Sequence, residues 1–316
     1  MKAARISGSK TLDVVSLARP VPGADEVRIR LEGCGICASN LPVWEGRPWF
    51  QYPLDAGAPG HEGWGVVDAA GDTDGFKRGD RVAFLSNRAY AEYDVAKCDS
   101  IVKLPPELDG RKFPGEAAGC AMNIFRRSEI EAGQTVVVIG AGFLGNLLIQ
   151  LAKSAGARTV AVSRRDSARE IATMCGADET IPMADHHDIV GRIRELTNGR
   201  GAERVIECVG SQWPLDIAND VIAERGRLVI AGYHQDGPRS VNMQNWNWLG
   251  IDVVNAHERD PRNYVRGMHD AIEAVVSGRI DLDPLLTHSY PLDQLDRALN
   301  DVADRPEGFV KGTVIF

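Results

Sequence analysis

The segment Val136-Val137-Val138-Ile139-Gly140-Ala141-Gly142-Phe143-Leu144-Gly145 constrains this chain more than any other. A β-branched run leads through G-x-G-x-x-G into an apolar stretch of helical character, residues 144–155. That order makes a strand, a turn and a helix whose N-terminus favours an anion. Gly140 permits the tight turn, Gly142 lets the backbone approach a pyrophosphate, and Gly145 allows close packing of helix on strand. Phe143 and Leu144 open the helix and share the anion-facing end. The pattern predicts a dinucleotide site; a βα turn without a ligand is the alternative.

The surrounding texture fits that prediction. Downstream, short apolar runs at 159–162, 204–208, 227–231 and 251–255 alternate with helical stretches from about Ser167, near 215–223 and near 264–276. Such alternation predicts an α/β, doubly wound parallel sheet covered on both faces. Residues 1–118 read differently. Short β-type runs at 26–31, 65–67 and 81–84, punctuated by Gly and Pro, predict irregular β structure. The chain turns irregular again before the run Gly312–Phe316. The expected organisation is discontinuous: 1–119 and 259–316 form one mainly-β domain, and 120–258 form a Rossmann domain inserted between them.

The tip of the second Rossmann strand tests which dinucleotide is bound. An NAD site places a carboxylate there to accept from the ribose hydroxyls. Here the residues are Ser163, Arg164 and Arg165. Guanidiniums pair with a 2′-phosphate through charge-assisted bonds, whereas a carboxylate would repel it. NADP(H) is therefore expected over NAD(H). The alternative is that both arginines are solvated at a helix start capped by Asp166.

Composition excludes other classes. With a net charge of −8 and its cations scattered, the chain has no basic face for nucleic acid or an anionic membrane. The most apolar stretch, 135–152, is broken by glycines, Asn146 and Gln150, so no membrane span is expected. The N-terminal residues have no apolar run of signal-peptide length. The six cysteines are sparse, and only Cys34 and Cys37 lie close together. Reduced thiols and a cytoplasmic protein are expected.

Cys37, in Gly33-Cys34-Gly35-Ile36-Cys37-Ala38-Ser39-Asn40, and His61, in Gly60-His61-Glu62-Gly63, are metal-ligand types on separate glycine-flanked loops. Catalytic zinc takes three protein ligands and leaves a position open. A zinc knuckle would need a second cysteine pair, and a redox C-x-x-C would need a thioredoxin-like context. Both are lacking.

The ordered runs GCGICASN, GHEGWGVV, FKRGDRV, AYAEY, VVVIGAGFLG and LLTHSYPLDQLDRAL resemble the zinc-dependent medium-chain dehydrogenase/reductase superfamily, the group of alcohol, polyol and threonine dehydrogenases. The resemblance spans nearly the whole chain. It implies a GroES-like catalytic domain carrying the Rossmann insert. It also implies Cys37 and His61 as ligands of one catalytic zinc, Ser39 as the proton-relaying hydroxyl, and Glu62 beside the metal and able to enter its shell. Glu116, in GEAAGC, matches the third ligand of the polyol and threonine dehydrogenases, with Cys120 as the alternative. Lys311 matches a basic position near the cofactor pyrophosphate, with a plain surface lysine as the alternative. The family's four-cysteine lobe is missing, so no structural zinc is expected. Asn40 replaces the usual Asp behind the zinc-bound His, and Pro42 stands near a histidine that ends the proton relay in some relatives. Cys34 is expected only to pack.

The implied reaction interconverts a secondary alcohol of polyol, cyclitol or amino-alcohol type and its ketone. A zinc-free quinone or enoyl reductase and a non-catalytic NADPH-binding protein are the alternatives. The aromatic run Trp44, Trp49, Phe50 and Tyr52, with Glu45 and Arg47, is expected either to wall the substrate pocket or to pack. His257 is expected to be a solvated or interface residue, with contact to substrate or cofactor as the alternative, and His186 and His187 are expected to lie in a polar loop. Relatives are dimers or tetramers that pair the edge strand near 251–255, so a homodimer is expected, with a tetramer as the alternative.

Overall fold

In the computed structural model, residues 1–71 and 75–316 are described. The chain divides into two compact units, Met1–Cys120 with Arg259–Phe316, and Ala121–Glu258.

The first unit is organised by one long strand, Glu26–Gly35. One edge of it pairs antiparallel with Glu62–Ala70. The other edge is shared: Glu26–Arg30 pairs with Tyr93–Lys97, and Gly33–Gly35 pairs with the C-terminal strand Gly312–Ile315. Register shifts at Arg28/Ile29 and Leu31/Gly33 bend the strand, as bulges do. The bend lets a single strand serve both partners. Strands Arg81–Leu85, Ile101–Lys103 and His288–Pro291 complete a seven-stranded sheet. Ile29, Leu31, Phe84, Tyr90 and Val314 fill its interior with Trp44 and Leu299. The C-terminal tail is thus part of the first segment's sheet, which is why the domain is discontinuous.

The second unit holds six parallel strands in the order Glu179–Pro182, Arg158–Ser163, Thr135–Ile139, Ala202–Glu207, Ile222–Ile230, Asp252–Asn255. This is the doubly wound Rossmann order, with its switch point between Thr135–Ile139 and Ala202–Glu207. Val137, Ile139, Val160, Val162 and Val205 are buried in its core, as continuous β-branched runs require when both sheet faces are covered.

Some local expectations were wrong. The strand Glu179–Pro182 and the helix His186–Leu196 escaped the sequence reading. The strand is only four residues long and ends in proline, and the helix start looks polar. Asp185 caps that helix, accepting from His187 N at 2.8 Å and Asp188 N at 3.0 Å. His186 and His187 therefore begin a helix rather than lie in a loop. Arg165, not Asp166, is the N-cap of Asp166–Met174. No helix among the described residues is long and apolar enough to cross a membrane.

Candidate active site

Strand register gathers the site. Gly35 pairs with Glu62 across one edge of the long strand and with Thr313 across the other. Cys37 leaves that strand two residues after Gly35, His61 precedes Glu62, and Lys311 precedes the strand Gly312–Ile315. All three arrive at one end of the sheet. The donor atoms of Cys37, His61 and Glu62 lie within 4.8 Å of one another. Glu116 comes from the first turn of helix Gly115–Ser128.

The residues around His61 fix its ring. Its Nδ1 lies 2.9 Å from the Pro59 carbonyl, which leaves Nε2 for the cluster. Asn40 donates to the same carbonyl at 3.4 Å and accepts from the Tyr90 hydroxyl at 2.7 Å. Asn40 therefore acts on His61 through Pro59 rather than by touching the ring.

The cluster is charged. Burial acts against the His61 cation, yet Cys37, Glu116 and Glu62 push its pKa up to about 10. Burial likewise opposes the Cys37 thiolate, but the hydrogen bond from His61 leaves the thiol below its usual value. Burial raises Glu116, and burial with the Glu116 charge raises Cys120 well above the usual thiol. Cys120 donates its S–H to Glu116 Oε1 at 3.2 Å. Of the two, Glu116 is the one presented as an acceptor.

Glu62 is 1% exposed and pairs with the buried Lys311, Nζ to Oε1 at 2.6 Å. Its Oε2 is buried without a hydrogen-bond partner among the described residues. A Cβ at Gly35 would overlap that oxygen, so the glycine makes room for the carboxylate. A thiolate, an imidazole nitrogen and an orphaned carboxylate oxygen form a donor set that fits zinc. Lys311, expected at the pyrophosphate, has its ammonium against Glu62 instead. Sequence reading could not see this pair, because its members lie 249 positions apart.

Ser39 is half-buried in the short turn Ala38–Asn40 that follows Cys37. The aromatic run mostly packs. Trp44 is in the core with its Nε1 2.9 Å from Asn300 Oδ1, Tyr52 donates to the Val43 carbonyl, and Phe50 lies against the same core. Only Trp49 is largely exposed, and Arg47 pairs with Glu45 at 3.4 Å.

In the second unit, Gly140 adopts φ +104° at the end of Thr135–Ile139, and Gly142 caps the helix Phe143–Ser154. A Cβ at Gly145 would overlap the Gly140 carbonyl oxygen. Asn146, fully buried, donates to the Ala141 carbonyl at 3.2 Å and braces this turn. In the sequence, Asn146 reads only as an interruption of an apolar run. Ser163, buried, ends the second strand, followed by exposed Arg164 and half-buried Arg165. Burial and then the neighbouring Arg164 hold Arg165 below the usual guanidinium value. Arg169 donates to the Ser163 carbonyl at 3.2 Å and the Arg164 carbonyl at 3.0 Å, so a third guanidinium fastens the strand tip.

Comparisons with known proteins agree with this geometry. Residues 23–130 match the alcohol dehydrogenase GroES-like domain family, and residues 144–275 match the zinc-binding dehydrogenase family. The chain is 27% identical to 2-dehydro-3-deoxy-L-galactonate 5-dehydrogenase of Pseudoalteromonas atlantica, covering 98% of this chain and 97% of that one. It is 26% identical to a sorbitol dehydrogenase of Halalkalibacterium halodurans, covering 90% of each. The solved structure of 2R,3R-butanediol dehydrogenase from Bacillus subtilis superposes with a TM-score of 0.85 at 25% identity, over 100% of this chain and 99% of the other.

Proposed function

The chain belongs to the zinc-type medium-chain dehydrogenase/reductase family, and on that premise we propose that it uses one catalytic zinc and NADP(H) to interconvert a polyol, cyclitol or amino-alcohol and its ketone. It is an alcohol dehydrogenase-like oxidoreductase acting on CH–OH groups. The cluster of Cys37, His61 and Glu62 donor atoms within 4.8 Å carries the reading.

Cys37 and His61 would hold the ion, with a carboxylate completing the set: Glu116, the third ligand the resemblance implies, or the orphaned Glu62 oxygen that lies within the cluster. When bound, zinc supplies Lewis acidity that eases deprotonation of an alcohol, and the dinucleotide takes or gives the hydride. Ser39 Oγ accepts the alcohol proton on oxidation and returns it on reduction. Pro59 and Asn40 keep the His61 ring in one orientation. Lys311 engages one oxygen of Glu62 and leaves the other to face the cluster as an acceptor.

The polyhydroxylated substrates in the relatives' names, with Glu116 as the third donor, favour a polyol over a simple alcohol. Gly140, Gly142 and Gly145, with Phe143 and Leu144, would take the pyrophosphate. Ser163, Arg164 and Arg165 would take a 2′-phosphate. A cytoplasmic homodimer is the assembly proposed, pairing through the sheet-edge strand Asp252–Asn255.

One sample tests the reading: NADPH and NADH are titrated by fluorescence, and zinc is counted on the same protein. NADPH should bind at least about tenfold more tightly, a gap worth about 1.4 kcal/mol, with about one zinc per chain. EDTA should abolish turnover and Zn²⁺ restore it. Equal affinities would reduce the arginines to surface charge, and full activity without metal would remove zinc from the mechanism.

A second prediction isolates the arginines. Arg164→Ala combined with Arg165→Ala should weaken NADPH binding about 10- to 100-fold, since a hydrogen bond to a charged group contributes about 1.5–3 kcal/mol. NADH affinity should hardly change. Equal losses for both dinucleotides would argue against 2′-phosphate recognition.

A further inference from the structure

Glu207, the last residue of strand Ala202–Glu207, is fully buried, a rare place for a carboxylate unless its charge is matched. Both its oxygens are engaged. Oε1 accepts from Val209 N at 2.7 Å and Gly210 N at 2.8 Å, and Oε2 lies 3.0 Å from His234 Nε2. His234 Nδ1 accepts from Arg239 Nε at 2.9 Å, so Nε2 is the protonated nitrogen that donates to Glu207. Arg239 also donates to the Gly210 carbonyl at 2.9 Å and pairs with Asp236.

The chain of contacts closes on itself. Glu207 grips Gly210 by its N–H, and Arg239 grips it by its carbonyl. The turn after Ala202–Glu207 is thereby tied to the turn after Ile222–Ile230. Little slack remains. A Cβ at Gly232 would sit 2.7 Å from Glu207 Oε2, and one at Gly210 would sit 2.6 Å from the Tyr233 carbonyl oxygen.

Buried ionic chains are weak devices for stability, so location matters. Both turns lie at the carboxyl ends of parallel strands, where doubly wound sheets bind their ligands. A Cβ at Gly140 would sit 2.7 Å from Val209 Cγ2, which places the Val209 turn beside the phosphate turn at the switch point. Apolar side chains stand exposed there: Val209 at 42% and Tyr233 at 57%. Tyr233 stacks on His257 with ring centroids 5.7 Å apart. Each half of a Rossmann sheet takes one mononucleotide. Gly140–Gly145 and Ser163–Arg165 belong to the first half, with the adenosine ribose. The tied turns belong to the second.

We propose that Glu207, His234 and Arg239 are positioning residues that hold the Val209–Gly210 and Tyr233 turns for the nicotinamide half of the cofactor. This inference rests on the dinucleotide reading above. It makes Tyr233 and Val209 contacts of the nicotinamide mononucleotide, and it makes the ion chain the support that keeps them in place.

The test uses the full chain with His234→Ala, and His234→Gln as the variant that keeps a donor toward Glu207. NADPH and NADH are titrated beside ADP-ribose and its 2′-phosphate, which lack the nicotinamide. His234→Ala should weaken the preferred dinucleotide about tenfold or more and leave the matching adenosine-half ligand within twofold. His234→Gln should recover most of the loss. The KM for the dinucleotide should rise more than kcat falls. Equal loss for whole and half ligands, or no loss at all, overturns the inference even where the wild type binds NADPH well. A wild type that binds no dinucleotide overturns the functional reading, and the inference with it.

Discussion

Replacing Cys37 by serine should empty the metal site and reduce kcat/KM by about a thousandfold or more. The magnitude follows from what a Lewis acid contributes. Several kcal/mol of charge stabilisation at the reacting oxygen are lost, and each 1.36 kcal/mol is about tenfold in rate. The hydroxyl of serine is a poor replacement for a thiolate, whose deprotonation His61 favours in this cluster. Cys34, three residues away, makes the internal control. It is fully buried, burial pushes its thiol up, and its S–H donates to the Gly35 carbonyl at 3.3 Å. Cys34→Ala should therefore keep the zinc and most of the activity. Zinc counted on both variants, with turnover on a polyol panel, decides the matter. A zinc-free Cys37→Ser protein that still turns over normally would dissociate the cluster from catalysis. Equal zinc loss in Cys34→Ala would mean that the effect is general damage to the loop.

Lys311→Met should destabilise the metal-free protein by about 3–5 kcal/mol, the range observed when one partner of a buried pair is removed. Lys311 is 6% exposed and Glu62 is 1% exposed, so solvent cannot take over the charge left behind. The buried Glu62 Oε2, which has no hydrogen-bond partner among the described residues, makes the deficit worse. Urea unfolding of the EDTA-treated protein reads the loss directly. Glu62→Gln in the same background should recover much of it, since an amide is far cheaper to bury than an unpaired charge. A loss under about 1 kcal/mol, the size of an exposed ion pair, would mean that the two groups are solvated in the working protein.

How much was legible in the sequence varied with the range of the interaction. The turn at Gly140–Gly145 was readable because its requirements are local. The β-branched run, the positive φ at Gly140 and the absent side chain at Gly145 all fall within ten residues. The discontinuous organisation was readable from texture, since buried parallel strands and irregular antiparallel ones differ in residue pattern. The helix at His186–Leu196 was missed because its first turn is polar, and its cap at Asp185 is a side-chain bond that periodicity does not reveal. The preceding strand, Glu179–Pro182, is too short to show a period.

The long-range pairs are another matter. Residue types alone marked Cys37 and His61 as ligand-like and put arginines where an NAD site has a carboxylate. They did not tell whether Trp44, Phe50 and Tyr52 would line a pocket or fill a core, and packing placed all three against the core. Nor did they reveal that Lys311 faces Glu62, or that Glu207 is joined to Arg239 through His234. Sequence determined the strand–turn–helix chemistry because those constraints act between neighbours along the chain. Tertiary structure alone decided the partners of the buried charges. Burial makes an unmatched charge costly, and which opposite charge lies near is set by the register of strands brought together from distant parts of the chain.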